Sequence, residues 1–138
     1  MQYRILAIAS FIAALAIIIG AFGAHYLKTI LEASELNSLE TGVRYQMYHA
    51  FAILFLSLQA AKAKPATINT VLYLFIAGVI CFSGSIYVFT ALTILDVTIP
   101  AFVRLITPVG GLLLVTAWAV LCSNSIKHLY QRNKERNS

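Results

Sequence analysis

From Ile5 to Ala24 the chain reads ILAIASFIAALAIIIGAFGA, an uninterrupted apolar run without a single charge. A helix rises about 1.5 Å per residue, so such a run matches the ~30 Å hydrocarbon core of a bilayer. The run has one competing reading. Arg4 resembles the charged start of a signal peptide, and Ala21-Phe22-Gly23 a small-residue cleavage site. Further apolar runs follow, and an ordinary first membrane helix is the reading adopted.

Within this run Ala9, Ala13, Ala16, Gly20 and Gly23 recur at steps of four and three, so they share one helix face. In lipid, close helix packing uses small residues. The stripe is therefore expected to contact another helix, of this chain or of a second copy.

Composition agrees. The chain has 138 residues, 60% hydrophobic and 11% charged, with a mean hydropathy of +0.84. Soluble domains are about 45–50% apolar and about 25% charged. Cys81 and Cys122 lie inside apolar runs without CxxC spacing and read as small buried residues. The net charge of +5 sits mostly in short loops and at the C-terminus, with no basic face interleaved with aromatics. Nucleic acid is therefore not an expected partner.

Working outward, Leu27, Ile30 and Leu31 have the spacing of a short interfacial helix. Ser34 is the expected cap of a second helix, with Glu35 in its first turn. That helix runs to Lys62, about 42 Å at 1.5 Å per residue, with Gly42 as a weak point. Lys62-Ala63-Lys64-Pro65 forms a tight loop. The run from Ala66 to Leu95 is too long for an upright span, so it tilts or bends near Ser83-Gly84-Ser85. Thr107-Pro108 reads as a cap followed by proline at the first helical position.

The expectation is an all-α polytopic membrane protein. Four transmembrane helices, at about 5–24, 44–62, 66–94 and 107–125, form a bundle in a single domain of residues 1–126. A short interfacial helix lies between the first and second. A basic tail, 127–138, follows, its end expected to be disordered.

Four spans place the N-terminus, the 62–65 loop and the tail on one side. That side holds Arg4, Lys62, Lys64, Lys127, Arg132, Lys134 and Arg136, against Lys28, Arg44 and Arg104 on the other. The positive-inside rule puts both termini in the cytoplasm.

Four strings occur in order: Gly20-Ala21-Phe22-Gly23-Ala24-His25, Arg44-Tyr45-Gln46-Met47-Tyr48-His49, Phe82-Ser83-Gly84-Ser85-Ile86-Tyr87 and Ile106-Thr107-Pro108-Val109-Gly110-Gly111. Together they resemble the small bacterial inner-membrane proteins of the YgdD/YwdK type, domain of unknown function 423, over about residues 3–123. One departure is Ala117 before Trp118, where the family more often has glycine. The resemblance implies a four-helix inner-membrane protein. It implies no activity and no cofactor.

The polar residues within this frame are His25, Arg44, Tyr45, Gln46, His49, Tyr87, Asp96, Arg104 and Thr107, all expected near the outer membrane boundary. Ionisable residues at membrane depth are costly and default to functional hypotheses. His25, Arg44, Tyr45, Gln46, His49, Tyr87, Arg104 and Thr107 are thus the candidate ligand-binding set, suited to an anionic or strongly polar group such as a lipid phosphate. The competing reading is structural: Arg44 or Arg104 pairs with Asp96 or Glu40, and the other groups satisfy boundary backbone. No metal site is expected. His128 lies on the opposite side from His25 and His49, and no carboxylate stands at ligand spacing. No nucleophile–base motif occurs, which argues against an enzyme. The expected role is a non-enzymatic component that binds membrane lipids, a partner membrane protein or a second copy. An oligomeric transporter or channel subunit is the alternative.

Overall fold

The computed structural model describes residues 1–61, 63–98 and 100–136. It is all-helical among these residues. Helix α1 spans Gln2–His25, α2 Ala33–Gln59, α3 Pro65–Val79, α4 Ser85–Ile94 and α5 Ile106–Arg136. One 3-10 turn, Leu27–Thr29, follows α1, and another, Ala101–Leu105, leads into α5. A π-helical turn, Ile80–Gly84, joins α3 to α4 in one continuous rod. The chain thus makes four rods. Both termini and the α2–α3 turn lie at one end, the proximal end. The α1–α2 and α4–α5 connections lie at the other, the distal end.

Three rods are long and apolar enough to cross a membrane: Gln2–Thr29, Pro65–Ile94 and Val103–Lys134. Helix α2 does not reach that standard by composition, because Arg44, Gln46 and His49 interrupt its apolar run. It is apolar on both faces. Tyr48, Phe51, Leu54, Phe55 and Leu58 are exposed, while Leu39, Ile53 and Leu56 are buried together with Gln46, His49 and Ser57. A soluble helix keeps its outward face polar.

The small-residue stripe does pack between helices. Ala9, Ala16 and Gly23 are buried against α2, and a Cβ on Gly23 would come within 3.0 Å of the Leu39 side chain. Toward the proximal end the packing is apolar: Ile5, Ile53, Ile68, Val71, Leu72, Phe75, Leu114 and Ala117 interlock with almost no exposure.

The Ser83-Gly84-Ser85 position, at which a bend was one of two expectations, overlaps the π-helical turn Ile80–Gly84. Such turns admit one extra residue into a helix. Here the turn brings backbone against backbone: a Cβ on Gly110 would collide with the main chain of Cys81 and Phe82. Opposite Gly110, Gly42 gives room to Ile86 and Tyr87, whose side chains would lie 3.3 and 3.1 Å from an added Cβ. Gly42, read from sequence as a weak point of α2, is a close-packing point.

Several boundaries differ from the sequence reading. Helix α2 is capped two residues before the expected Ser34, because Glu35 accepts the Glu32 N–H at 2.9 Å and closes a cap at Glu32. The segment at Leu27 forms a single 3-10 turn. Helix α5 begins at Ile106 and runs through Arg136, so the basic tail continues the last helix up to that residue. Lys62 of the tight loop, and residues 137 and 138 of the tail, lie outside the described residues. Asp96 ends α4 with φ 53°. Val97 N–H reaches Leu92 O at 2.9 Å and Asp96 N–H reaches Thr93 O at 3.1 Å, the paired bonds of a Schellman cap. Its backbone thus gives Asp96 a capping task.

Candidate functional site

The buried polar residues tie rods together. Gln46 is 3% exposed. Its Nε2 donates to the Ile12 carbonyl at 2.8 Å, and its Oε1 accepts the Tyr87 hydroxyl at 2.8 Å. One amide therefore joins α1, α2 and α4. His49 lies one turn further along α2. A carbonyl only accepts, so Nδ1–H donates to Tyr45 O at 2.7 Å. Nε2 is then the lone-pair nitrogen, and it accepts Trp118 Nε1–H at 3.3 Å. Both ring nitrogens are engaged, and α2 is joined to α5. Ser83 Oγ donates to Gly42 O at 2.8 Å, joining the π-helical turn to α2.

Aromatic rings fill the space around these bonds. Tyr45 stacks on Phe82 with centroids 4.5 Å apart. Phe75 meets Trp118 edge-on at 5.3 Å and His49 at 5.5 Å. Inter-helix hydrogen bonds in lipid contribute about 0.6 kcal/mol each, and aromatic pairs about 0.5–1.5 kcal/mol. The layer is a lock made of several modest contributions.

The sequence reading placed Gln46 and His49 near the outer boundary. Ile12 stands at mid-length of α1, so the Gln46 bond sets this layer halfway along that rod. The other candidates are dispersed. His25 is exposed at the end of α1, thirteen residues beyond Ile12. Arg44 is exposed and lies along its own helix, donating to Glu40 O at 3.4 Å and Thr41 Oγ1 at 3.3 Å. It borders a shallow groove of about 220 Å³ beside Gly20, Gly23 and Val43. Arg104 is exposed in the second 3-10 turn. Thr107 bonds Ser85 at 2.6 Å.

Thr107 also opens onto a feature that sequence reasoning missed. A distal groove of about 390 Å³ lies between α2, α4 and the start of α5. Glu35, Asn37, Ser38, Thr41, Thr90, Thr93 and Thr107 line it, with Ile86 and Phe89 as its apolar floor.

Four of the five hydroxyl hydrogens along this groove are committed elsewhere, Thr93 being the exception. Ser38 donates to Ser34 O at 3.0 Å, Thr41 to Asn37 O at 2.9 Å and Thr90 to Ile86 O at 3.0 Å. Ser85 donates to Phe82 O at 2.9 Å, so Thr107 must be the donor in the Ser85–Thr107 pair. Four hydroxyl oxygens are left with acceptor capacity, beside the Glu35 carboxylate. The hydroxyl spacing along α2 and α4 is readable in sequence, at 38 and 41 and at 90 and 93. Trp118 was also legible, as a lone indole N–H in an apolar helix that needs an acceptor.

The family described as "Protein of unknown function (DUF423)" matches residues 19–111, more than half of the chain. The UPF0382 membrane protein YwdK of Bacillus subtilis is 36% identical over 118 residues, covering 85% of this chain and 91% of the relative. A UPF0382 membrane protein of Haemophilus influenzae is 37% identical over 110 residues, 79% of this chain and 82% of the relative. The UPF0382 inner membrane protein YgdD of Escherichia coli is 37% identical over 113 residues, 79% of each chain. No solved structure matches. With the family's match covering the middle rods and the relatives covering most of the chain, this protein belongs to the DUF423 family of membrane proteins.

Proposed function

We propose that the protein is a non-enzymatic, multi-pass component of the bacterial inner membrane that holds a phospholipid by its headgroup in the distal groove. In this arrangement α2 is the fourth span and both termini are cytoplasmic. The charge asymmetry between the two ends supports that orientation. A relative named an inner membrane protein supports the location.

The observation that carries the reading is the hydrogen-bond polarity of the groove. Four of its five hydroxyl oxygens are left only to accept, Ser38, Thr41, Thr90 and Thr107, and Glu35 adds negative charge. The fitting ligand group is a donor, and a charged ammonium fits best, since bonds to charged groups are the stronger ones. The sequence reading looked for an anion at this end. The lining favours an ammonium-bearing headgroup instead, with Ile86 and Phe89 against the upper acyl chain. The alternative, a solute path through one chain, is opposed by the apolar proximal layer of Ile53, Val71, Phe75 and Ala117, all at 0% exposure.

Native mass spectrometry of protein extracted from vesicles of equal phosphatidylethanolamine and phosphatidylcholine tests this. Phosphatidylethanolamine has N–H donors and phosphatidylcholine has none. The native chain should retain the former in excess. Glu35→Gln should reduce that excess about tenfold, the size of one charge-assisted hydrogen bond. Equal retention of the two lipids by the native chain would end the proposal.

A further inference from the structure

The proximal end carries a second and larger recess with the opposite chemistry. Helix α2 stops at Gln59, while α5 continues to Arg136. The overhang leaves a cleft of about 660 Å³ between the end of α2, the start of α3 and the second half of α5. That volume lies within the usual range for a small-molecule site.

The lining is graded along two independent helices in the same direction. On α2 it passes from Phe55 and Leu56 to Gln59, and on α5 from Trp118 and Leu121 through Asn124 and Ser125 to His128, Leu129 and Arg132, where Leu129 is the one apolar side chain among the rim residues of α5. Both helices run toward the proximal end, so the apolar part is deep and the polar part is at the rim. A 31-residue helix is about 46 Å long, longer than a ~30 Å hydrocarbon core, so the last turns of α5 stand at or beyond headgroup level. The cleft thus crosses from acyl-chain depth to headgroup depth.

We infer that this cleft binds one anionic phospholipid from the leaflet on the side of the termini. An acyl chain lies against Phe55, Trp118 and Leu121, and the phosphate lies at Arg132. The Gln59 and Asn124 amides supply donors at glycerol level, while Ser125, whose hydroxyl donates to Leu121 O at 2.9 Å, can only accept there. Charge complementarity selects the occupant. Arg132 is a planar guanidinium suited to phosphate. The proximal end as a whole is cationic, with Arg4, Lys64, Lys127 and Lys134 besides. This inference is independent of the distal groove and of which side of the membrane the termini occupy.

The test uses the full chain in nanodiscs of phosphatidylcholine with a fifth of phosphatidylglycerol, followed by native mass spectrometry. The native chain should retain one phosphatidylglycerol. Arg132→Gln should lower its retention about fivefold, as expected for one cation near an anionic lipid. Cys122 lines the cleft, is exposed and lies outside the buried core. Cys122→Trp should therefore fill the apolar part and expel the lipid while the helix content by circular dichroism stays unchanged. Arg136→Gln, a cation beyond the cleft lining, should leave retention intact. Adding glycerophosphoglycerol, the headgroup without acyl chains, should not displace the lipid. Retention that survives both Arg132→Gln and Cys122→Trp overturns the inference. So does a loss with Arg136→Gln equal to that with Arg132→Gln, which marks diffuse attraction with no site.

Discussion

The mid-length polar layer and the distal groove are built from the same kinds of residue, yet they differ in where their hydrogens go. In the layer, Gln46, Ser83, Tyr87 and Trp118 donate across to other rods, and His49 accepts from one. In the groove, Ser38, Thr41 and Thr90 donate back to carbonyls of their own helix. The first pattern closes the structure and leaves nothing for a ligand. The second leaves oxygen lone pairs facing a cavity. Polar residues inside apolar helices thus mark a site only when their bonding capacity remains incomplete.

The sharpest way to break this contrast is to open the layer mechanically. Gly110→Ala places a methyl group into the backbone of the π-helical turn, and overpacked cores cost about 1–3 kcal/mol. Here backbone must move, so the upper end of that range is expected. It should appear as the largest fall in thermal midpoint in detergent. A midpoint equal to the native one would mean that the turn and α5 do not approach so closely.

Gln46→Leu comes next. It leaves the Tyr87 hydroxyl without its acceptor in the layer, for a loss of about 1–2 kcal/mol. Lipid retention should be unchanged, because Gln46 does not line the groove. A stable Gln46→Leu that has lost its lipid would invert the roles assigned to the two regions. Trp118→Phe keeps an aromatic ring beside Phe75 and removes the bond to His49, which accounts for about 0.6 kcal/mol.

Much of the arrangement was legible in the sequence, and the reasons are physical. The run from Ile5 to Ala24, the stripe ending at Gly23 and the interruption at Ser83-Gly84-Ser85 are local signals, and each led to the right element. Gln46 and His49 were singled out as polar groups that need an explanation. Their level along the rods was not legible, because it depends on the register between α1 and α2, which the Gln46–Ile12 bond reveals. The groove was not legible because its lining comes from three helices and its polarity from hydroxyl rotors. The full reach of α5 to Arg136 was missed because a polar, basic segment can remain helical once a long helix has been nucleated.

The finest test of the contrast is Thr90→Val, in which stability and binding should separate. Valine has nearly the same shape as threonine and lacks the hydroxyl. The hydrogen of that hydroxyl goes to Ile86 O, within α4's own turn. No inter-rod bond is lost, so the thermal midpoint should move by less than the equivalent of about 0.5 kcal/mol. The groove loses one of its acceptors, and retention of phosphatidylethanolamine should fall by a few-fold, about 1 kcal/mol for a hydrogen bond. Native mass spectrometry and a thermal melt on the same preparation read both quantities. If instead the midpoint falls as far as in Gln46→Leu while the lipid stays bound, Thr90 belongs with the locking residues, and the groove is only a gap between helices.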